Sequence, residues 1–401
     1  MAIVSMLLRM TGGLCMFLFG MKLMSDGMQQ SAGDRIKRAL SFMTGNRFVG
    51  LLTGFVLTAI IQSSSAASVI IVSFVNAGLL TLTQSIGVIM GINVGTTLTA
   101  WIVSIFGFSF DISSWALPAI GIGFILRSID WKYKSIGELT LGFGFLFLGL
   151  EFLTQGLDPV RNDLDYNVIA SWANWGVWSI IAGYAAGLVG TIIINSSTAA
   201  VAIIMTMAYN GMVGYEMAAG FVLGANLGTC TDVVLASIGA RTAAKRSALV
   251  HILFNVIGNC WALPLLRPLL ALVDFVTPGT VTGAVHDIAV TTHIAMLHTI
   301  YNIVNTALFL PFVHQFARLV TFLVKGKETD KEPDHYKFEY VSGPITGSPE
   351  LNILRAEKEI RYMAGIVSSM YSRFCEALQN LREGRENAAE LCNELQKKEE
   401  Y

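Results

Sequence analysis

The chain has 401 residues, 53% of them hydrophobic, with a mean hydropathy of +0.59 and a net charge of −1. Of its 55 charged residues, 28 lie in 1–324 and 27 in the last 77, so a polytopic membrane domain (1–324) is expected ahead of a water-soluble tail. A net charge near zero offers no argument for a nucleic-acid partner, and none is expected. The five cysteines (Cys15, Cys230, Cys260, Cys375, Cys392) show no CxxC spacing, which points away from disulfides and thiolate metal sites.

In chain order, residues 3–24 predict an apolar helix interrupted by Arg9 and ending near Lys22 and Asp26, a membrane helix rather than a signal peptide. A basic segment follows with Arg35, Lys37, Arg38 and Arg47. Gly50–Ile61 is an apolar run of 12 residues. It reaches roughly 18 Å, about half a bilayer core. Gln62, Ser63, Ser64 and Ser65 interrupt it, and Ala66–Leu80 continues it. Two half-length helices joined by a polar tip predict a re-entrant hairpin. The alternative is one long helix, Gly50 to Val75, whose serines bond back to carbonyls a turn earlier. Gln84–Phe106 is the next span, with Gly91-Ile92-Asn93-Val94-Gly95-Thr96 at its centre. Two glycines around an asparagine predict a helix unwound there. Ser113–Leu126 and Ile136–Leu157 follow as crossings, then a Trp- and acid-rich loop, Asp158–Trp178.

The hairpin now recurs. Asn195, Ser196, Ser197 and Thr198 stand 133 positions after Gln62–Ser65, and Gly224-Ala225-Asn226-Leu227-Gly228-Thr229 stand 133 after Gly91–Thr96. Phe145–Gly149 resembles Met16–Gly20, so the duplication takes in an upstream helix, giving repeats over about 12–107 and 141–240. The loops differ in charge. Arg35–Arg47 is basic, whereas Val168–Ile180 has no Lys or Arg; Phe108–Ser114 has none, whereas Arg241–Ser247 has three. If positive charge marks the cytoplasm, the two repeats are inverted and residues from Lys325 onward lie inside. The fold class expected is therefore an all-α polytopic membrane protein of two inverted-topology repeats, each with a re-entrant hairpin and a broken helix. A linker, 325–349, leads to a cytoplasmic helical segment, 350–401, with an apolar stripe of Leu354, Ile360, Met363, Val367, Met370, Phe374, Leu378 and Leu381.

A re-entrant tip offers free carbonyls from the entering half-helix and free N–H groups from the leaving one. A serine at the start of the second half caps it and adds hydroxyls. Two such tips, Gln62–Ser65 and Asn195–Thr198, predict a site for a small oxyanion. Gln62, Asn93, Thr96, Asn195, Asn226 and Thr229 would supply oxygens of the kind Na⁺ accepts. The competing explanation is that Ser, Asn and Gly only permit close helix packing. Asp232 is either a cation ligand or proton acceptor, or an interfacial acid facing Arg241 or Lys245. His251, His293 and His298, with Asn255, Asn259, Asn302 and Asn305, read as packing hydrogen bonders rather than a metal site. No GxxxxGK[ST] run and no nucleophile–base constellation is visible, so neither an ATP-driven pump nor an enzyme is expected.

Gln62-Ser63-Ser64-Ser65, repeated as Asn195-Ser196-Ser197-Thr198, with the two Gly-x-Asn-x-Gly-Thr motifs, resembles the type II sodium–phosphate cotransporter family over roughly Gly12 to Thr306. The resemblance implies Na⁺-coupled uptake of inorganic phosphate across a cell membrane, with the four-residue tips contributing to phosphate and sodium binding. From Leu351 the tail resembles the opening helices of a PhoU-like domain. The second tip departs from the family pattern, with Asn195 for Gln and Thr198 for the third Ser. A homodimer is a further expectation. The rival readings are a sodium-coupled carrier of another anion (dicarboxylate or sulfate) and a membrane-bound phosphate sensor.

Overall fold

The computed structural model describes residues 2–42, 46–109, 113–129, 131–163, 175–325 and 349–382, and is all-helical over them. Among the described residues, six helices are long and apolar enough to cross a membrane, or seven if one sharply bent pair counts as a span. The end of the expected tail segment (383–401), most of the 158–178 loop and most of the linker lie outside the described residues.

Helix α1 runs Ala2–Phe42, well past the expected end near Asp26. Nothing after Lys22 breaks a helix: charges mark where the apolar span ends (Leu7–Ala32), not where hydrogen bonding stops. It packs on α6 (Trp131–Asp163) along a glycine seam. A Cβ on Gly13 would lie 2.9 Å from Gly149 O, one on Gly20 2.7 Å from Gly142 O, and one on Gly27 2.6 Å from Ser135 O. Numbers rise on one helix as they fall on the other, so α1 and α6 are antiparallel.

Between them, Asn46 caps α2 (Arg47–Ile61), accepting from the N–H groups of Phe48 and Val49. The helix stops at Gln62–Ser63, and α3 covers Ser64–Asn76, so the single long helix is ruled out. A Thr81–Gln84 capping box opens α4 (Leu82–Ser104), which ends in a π-helical turn, Ile105–Ser109. Helices α2 and α4 run parallel: a Cβ on Gly87 would meet Arg47 O at 2.8 Å, and one on Gly95 would meet Phe55 O at 2.8 Å. The chain reaches the start of α4 from the far end of α2, so α3 must carry it back. That reversal makes α2–α3 a hairpin. Helix α5 (Ser113–Ser128) then returns to α6.

The second copy repeats these contacts at the same offset. Helices α7 (Val177–Ile194) and α8 (Ser197–Tyr209) form the hairpin, and α9 (Tyr215–Gly228) lies parallel to α7. The packing pairs Gly87–Arg47, Gly91–Leu51 and Gly95–Thr58 recur as Gly220–Ile180, Gly224–Tyr184 and Gly228–Thr191. The duplication is therefore one of packing as well as of letters.

Helix α10 (Cys230–Ser237) continues α9 after a single interruption at Thr229. Helices α11 (Thr242–Ala262) and α12 (Leu266–Val276) meet at 88°, with Pro264 in the break, where its missing N–H ends the α11 ladder. Helix α13 (Ile288–Phe309) is packed on α4, α8 and α9 and so touches both copies. Helix α14 (Val313–Leu323) closes the bundle. In the tail, α15 (Pro349–Arg382) rests its first turns on the membrane domain: Leu354 joins the cluster that holds Leu79 and Leu82, and Lys358 Nζ donates to Gly78 O at 2.5 Å. Ile360, Val367, Tyr371, Phe374 and Leu378 farther along α15 remain exposed.

Candidate functional site

The two tips are built alike. Gln62 ends α2 in the left-handed region (φ 55°), its N–H donating to Thr58 O at 2.7 Å; Asn195 ends α7 at φ 58°, its N–H donating to Thr191 O at 2.8 Å. Each is followed by an extended serine whose hydroxyl accepts an N–H of the next helix: Ser63 from Ala66 and Ser196 from Ala199, both at 3.2 Å. Left-handed backbone is uncommon for residues other than glycine. Among the described residues His286 is the third such non-glycine case. Ser64 and Ser197 open α3 and α8 and are buried, as is Thr198, while Ser65 is half-buried. The positive ends of α3 and α8 thus face the tips, with hydroxyls around them.

One position in each copy ties down its tip. Thr99 Oγ1 donates to Gln62 Oε1 at 2.9 Å, while Gln62 Nε2 donates to Ala59 O at 2.6 Å. At the equivalent place in the second copy stands Asp232. With its amide nitrogen turned toward the carboxylate, Asn195 donates to both oxygens of Asp232, at 2.8 Å to Oδ2. Asp232 lies in the first turn of α10, where the helix dipole favours a negative charge. It is therefore beside the second tip. The tips differ in setting, since Gln62 is buried and Asn195 is exposed.

The Gly-x-Asn-x-Gly-Thr motifs depart from expectation. Helix α4 passes through Gly91–Thr97 unbroken, and only Thr229 interrupts the second copy. The glycines let α2 and α7 approach backbone to backbone, which accounts for them without unwinding. Unwound carbonyls for a cation are thus absent at the first motif. Asn93 Nδ2 donates to Ile89 O at 2.9 Å and Thr96 Oγ1 to Ile92 O at 2.9 Å, while Thr229 Oγ1 donates to Ala225 O at 3.1 Å. Asn93 faces Asn255 of α11, with Asn255 Nδ2 3.5 Å from Asn93 Oδ1, rather than either tip.

The copies interlock. Helix α3 packs on α10 and α8 packs on α4, so the leaving half of each hairpin lies against the other copy's motif helix. One turn of α4 addresses both tips: Thr99 holds Gln62, while Thr96 and Ala100 line a small cavity with Thr198 and Ala202 of α8 and His298 of α13. His298 Nε2 lies 2.9 Å from Asn226 Oδ1. Reading the sequence by its one offset missed Thr99 and His298 as partners of the motifs. A signal for the latter was present, because His251-x-x-x-Asn255 recurs as His298-x-x-x-Asn302. Among the described residues no group of His, Cys, Asp and Glu is arranged to hold a metal ion.

Comparison with known proteins decides the family. The model of the Na⁺/Pi-cotransporter family matches residues 16–155 and 171–267, more than half of the chain. The chain belongs to the Na⁺/Pi-cotransporter family. It is thus a multi-pass membrane transporter and not an enzyme. YqeW of Bacillus subtilis is 33% identical over 277 residues, covering 68% of this chain and 86% of that protein. YjbB of Salmonella typhimurium, named for inorganic phosphate export, is 30% identical over 271 residues, 67% of this chain and 48% of YjbB, so this cotransporter-family chain spans about half of that relative. The sodium-dependent phosphate transport protein 2A of Rattus norvegicus is 37% identical over 100 residues, 24% of this chain and 15% of its own length. No solved structure matches the chain.

Proposed function

We propose that this cotransporter-family chain carries inorganic phosphate with Na⁺ across a cell membrane by alternating access, the anion held between two re-entrant tips of inverted repeats. The observation that carries this reading is the doubled tip, with its left-handed Gln62 or Asn195, its serine cap and the adjoining helix N-terminus. Donors there come from amides and hydroxyls, with no Lys or Arg between Phe48 and Phe110 or between Tyr166 and Tyr215. Such a site binds an oxyanion without a fixed positive charge, which makes a bound cation the natural partner for the anion's charge. Gln62, Asn195 and Asp232, with Thr229 a turn before Asp232, are the residues assigned to Na⁺, while the oxygen of Asn226 is engaged by His298. Gln62–Ser65 and Asn195–Thr198 are assigned to phosphate. The antiparallel α1–α6 pair, one helix ahead of each hairpin, supports inversion, and the loop charges favour a cytoplasmic tail.

Two tips open to both sides would form a channel, so one unit must move against the other. Coupling is then mutual: Na⁺ raises phosphate affinity by the factor by which phosphate raises Na⁺ affinity. The names of the YjbB relatives favour export as a second reading. A secondary carrier runs in whichever direction its gradients dictate, and an inward Na⁺ gradient drives uptake. Labelled phosphate uptake into proteoliposomes, with an imposed Na⁺ gradient or with choline, tests the assignment. Accumulation that follows the Na⁺ gradient is expected. Accumulation indifferent to Na⁺ would remove symport, and succinate outcompeting phosphate would move the substrate to a dicarboxylate.

A further inference from the structure

His298 lines the cavity shared by α4, α8 and α13, and Asn226 lies beside it. His298 is 1% exposed and Asn226 4%. They bond to each other, His298 Nε2 to Asn226 Oδ1 at 2.9 Å. Because that oxygen can only accept, Nε2 carries the proton in a neutral ring, and Nδ1 keeps a lone pair. Among the described residues, neither His298 Nδ1 nor Asn226 Nδ2 has a hydrogen-bond partner. The backbone of His298 is occupied separately, its carbonyl accepting from Asn302 Nδ2 at 2.8 Å. A buried acceptor and a buried donor held side by side, the acceptor on a residue that lines the cavity with Thr198 of the second tip, are costly unless something fills them.

We propose that His298 Nδ1 accepts a hydrogen bond from the protonated oxygen of a hydrogen-bearing tetrahedral oxyanion, while Asn226 Nδ2 donates to an unprotonated oxygen of the same anion. This rests on the phosphate reading given above and adds what the tips lack. Amides and hydroxyls that only donate treat phosphate and sulfate alike, since both are tetrahedral and doubly charged. The two differ in a proton: phosphate and arsenate carry one near neutral pH, and sulfate carries none. An acceptor fixed in the site is satisfied by the first two and left unpaired by the third. Discrimination of this kind, against an analogue lacking the required hydrogen, is stronger than size alone provides. The cavity has room for about one water molecule, so an oxyanion enters only when α8 withdraws from α4. His298, on α13, then forms the floor of the opened site.

The two amide side chains separate the roles of the ring. Gln at position 298 reaches the place of Nε2 and keeps a donor for Asn226, but has no acceptor at the Nδ1 position. Asn places its amide near Nδ1 and gives up the reach to Asn226. The full chain, reconstituted in Na⁺, is assayed for labelled phosphate uptake against arsenate and sulfate. Wild type should be inhibited by arsenate and spared by sulfate. His298→Gln should lose about tenfold or more in apparent phosphate affinity without a matching loss for sulfate, so that the preference falls by a similar factor. His298→Asn should recover part of that preference. Equal loss for both anions in His298→Gln would mean packing alone and would overturn the proposal, as would an unchanged preference. If neither variant is monodisperse, the wild type still decides, because sulfate competing as well as arsenate refutes an acceptor in the site. A wild type that binds no phosphate at all removes the phosphate reading itself, an outcome distinct from each of these.

Discussion

Replacing Gly91 or Gly224 by alanine separates two meanings of the Gly-x-Asn-x-Gly-Thr motif. If these glycines existed to unwind a helix, alanine would favour the helical form by about 1 kcal/mol and alter binding more than stability. The packing argues otherwise. A Cβ on Gly91 would fall well under 3.0 Å from Leu51 O, and one on Gly224 well under 3.0 Å from Tyr184 O, whereas ordinary contact begins at 3.4 Å. The neighbour in each case is backbone, so no rotamer change relieves the overlap, and α2 or α7 must retreat as a whole. Overpacking costs about 1–3 kcal/mol, and with backbone on both sides the upper end applies. Set against the gain in helix propensity, the net loss is about 2 kcal/mol. Gly121 is the control, a helical glycine whose added Cβ would meet nothing within 4 Å. Gly121→Ala should be neutral or gain up to about 1 kcal/mol. Thermal denaturation of the purified proteins, read by loss of monodisperse material, should rank Gly121→Ala at or above wild type and both motif variants clearly below it. Gly91→Ala as stable as Gly121→Ala would refute the packing account and return the motif to an unwinding role.

Ser64→Ala and Ser197→Ala should each weaken phosphate binding by about 1–3 kcal/mol, seen as a higher half-saturating phosphate concentration at fixed Na⁺; unchanged values in both would remove the tips from the site. After the native cysteines are replaced, Ser114→Cys, after the first repeat, should react with an impermeant thiol reagent from outside and Lys245→Cys, after the second, from inside, and labelling of both from one face would end the inverted-repeat argument. Asp287 caps α13 outside its apolar span; burial pushes its carboxyl up, but hydrogen bonds from Thr282 and Ala289 outweigh this and hold it below the usual carboxylate range. Its stabilisation is complete above the unfolded value of about 3.9 and is lost as pH falls through the lower folded value, so Asp287→Asn should flatten that limb of the stability–pH curve.

What was legible in the sequence was whatever repeats or punctuates. The tips at Gln62–Ser63 and Asn195–Ser196 stand where polar residues interrupt apolar runs, and the 133-residue offset carried over to the packing pairs without a shift. Lengths were less legible, because hydropathy bounds the lipid-facing part of a helix and not the helix itself, as the 41-residue α1 shows. Glycine was ambiguous for a physical reason: the missing side chain that lowers helix propensity also permits close approach, and only the neighbouring backbone tells which applies. The partners of Thr99, Asn226 and Asn255 come from long-range pairing, which no local pattern encodes. The proximity of Asp232 to Asn195 is long-range pairing of the same kind.

That last pair bears on how a duplicated fold makes a vectorial device. Identical copies would offer identical tips, and an anion between them would meet the same environment whichever tip moved. The copies have diverged where each tip is held. In the first copy a hydroxyl donates to an amide oxygen, Thr99 to Gln62; in the second an amide donates to a carboxylate, Asn195 to Asp232. The backbone geometry is conserved between them to within 0.1 Å in the capping distances of 2.7 and 2.8 Å, so the change is one of charge and not of shape. A single negative charge beside one tip draws a cation there before any anion arrives, and leaves the other tip neutral. On the proposed function this orders the binding events, with cation at the second tip first and oxyanion between the tips second. Asp232→Thr, which restores the first copy's chemistry, should then raise the Na⁺ concentration needed for half-maximal phosphate uptake while leaving the protein folded. Calorimetric Na⁺ binding without phosphate, present in wild type and lost in Asp232→Thr, is the decisive observation, and equal Na⁺ binding in the two proteins would refute the ordering.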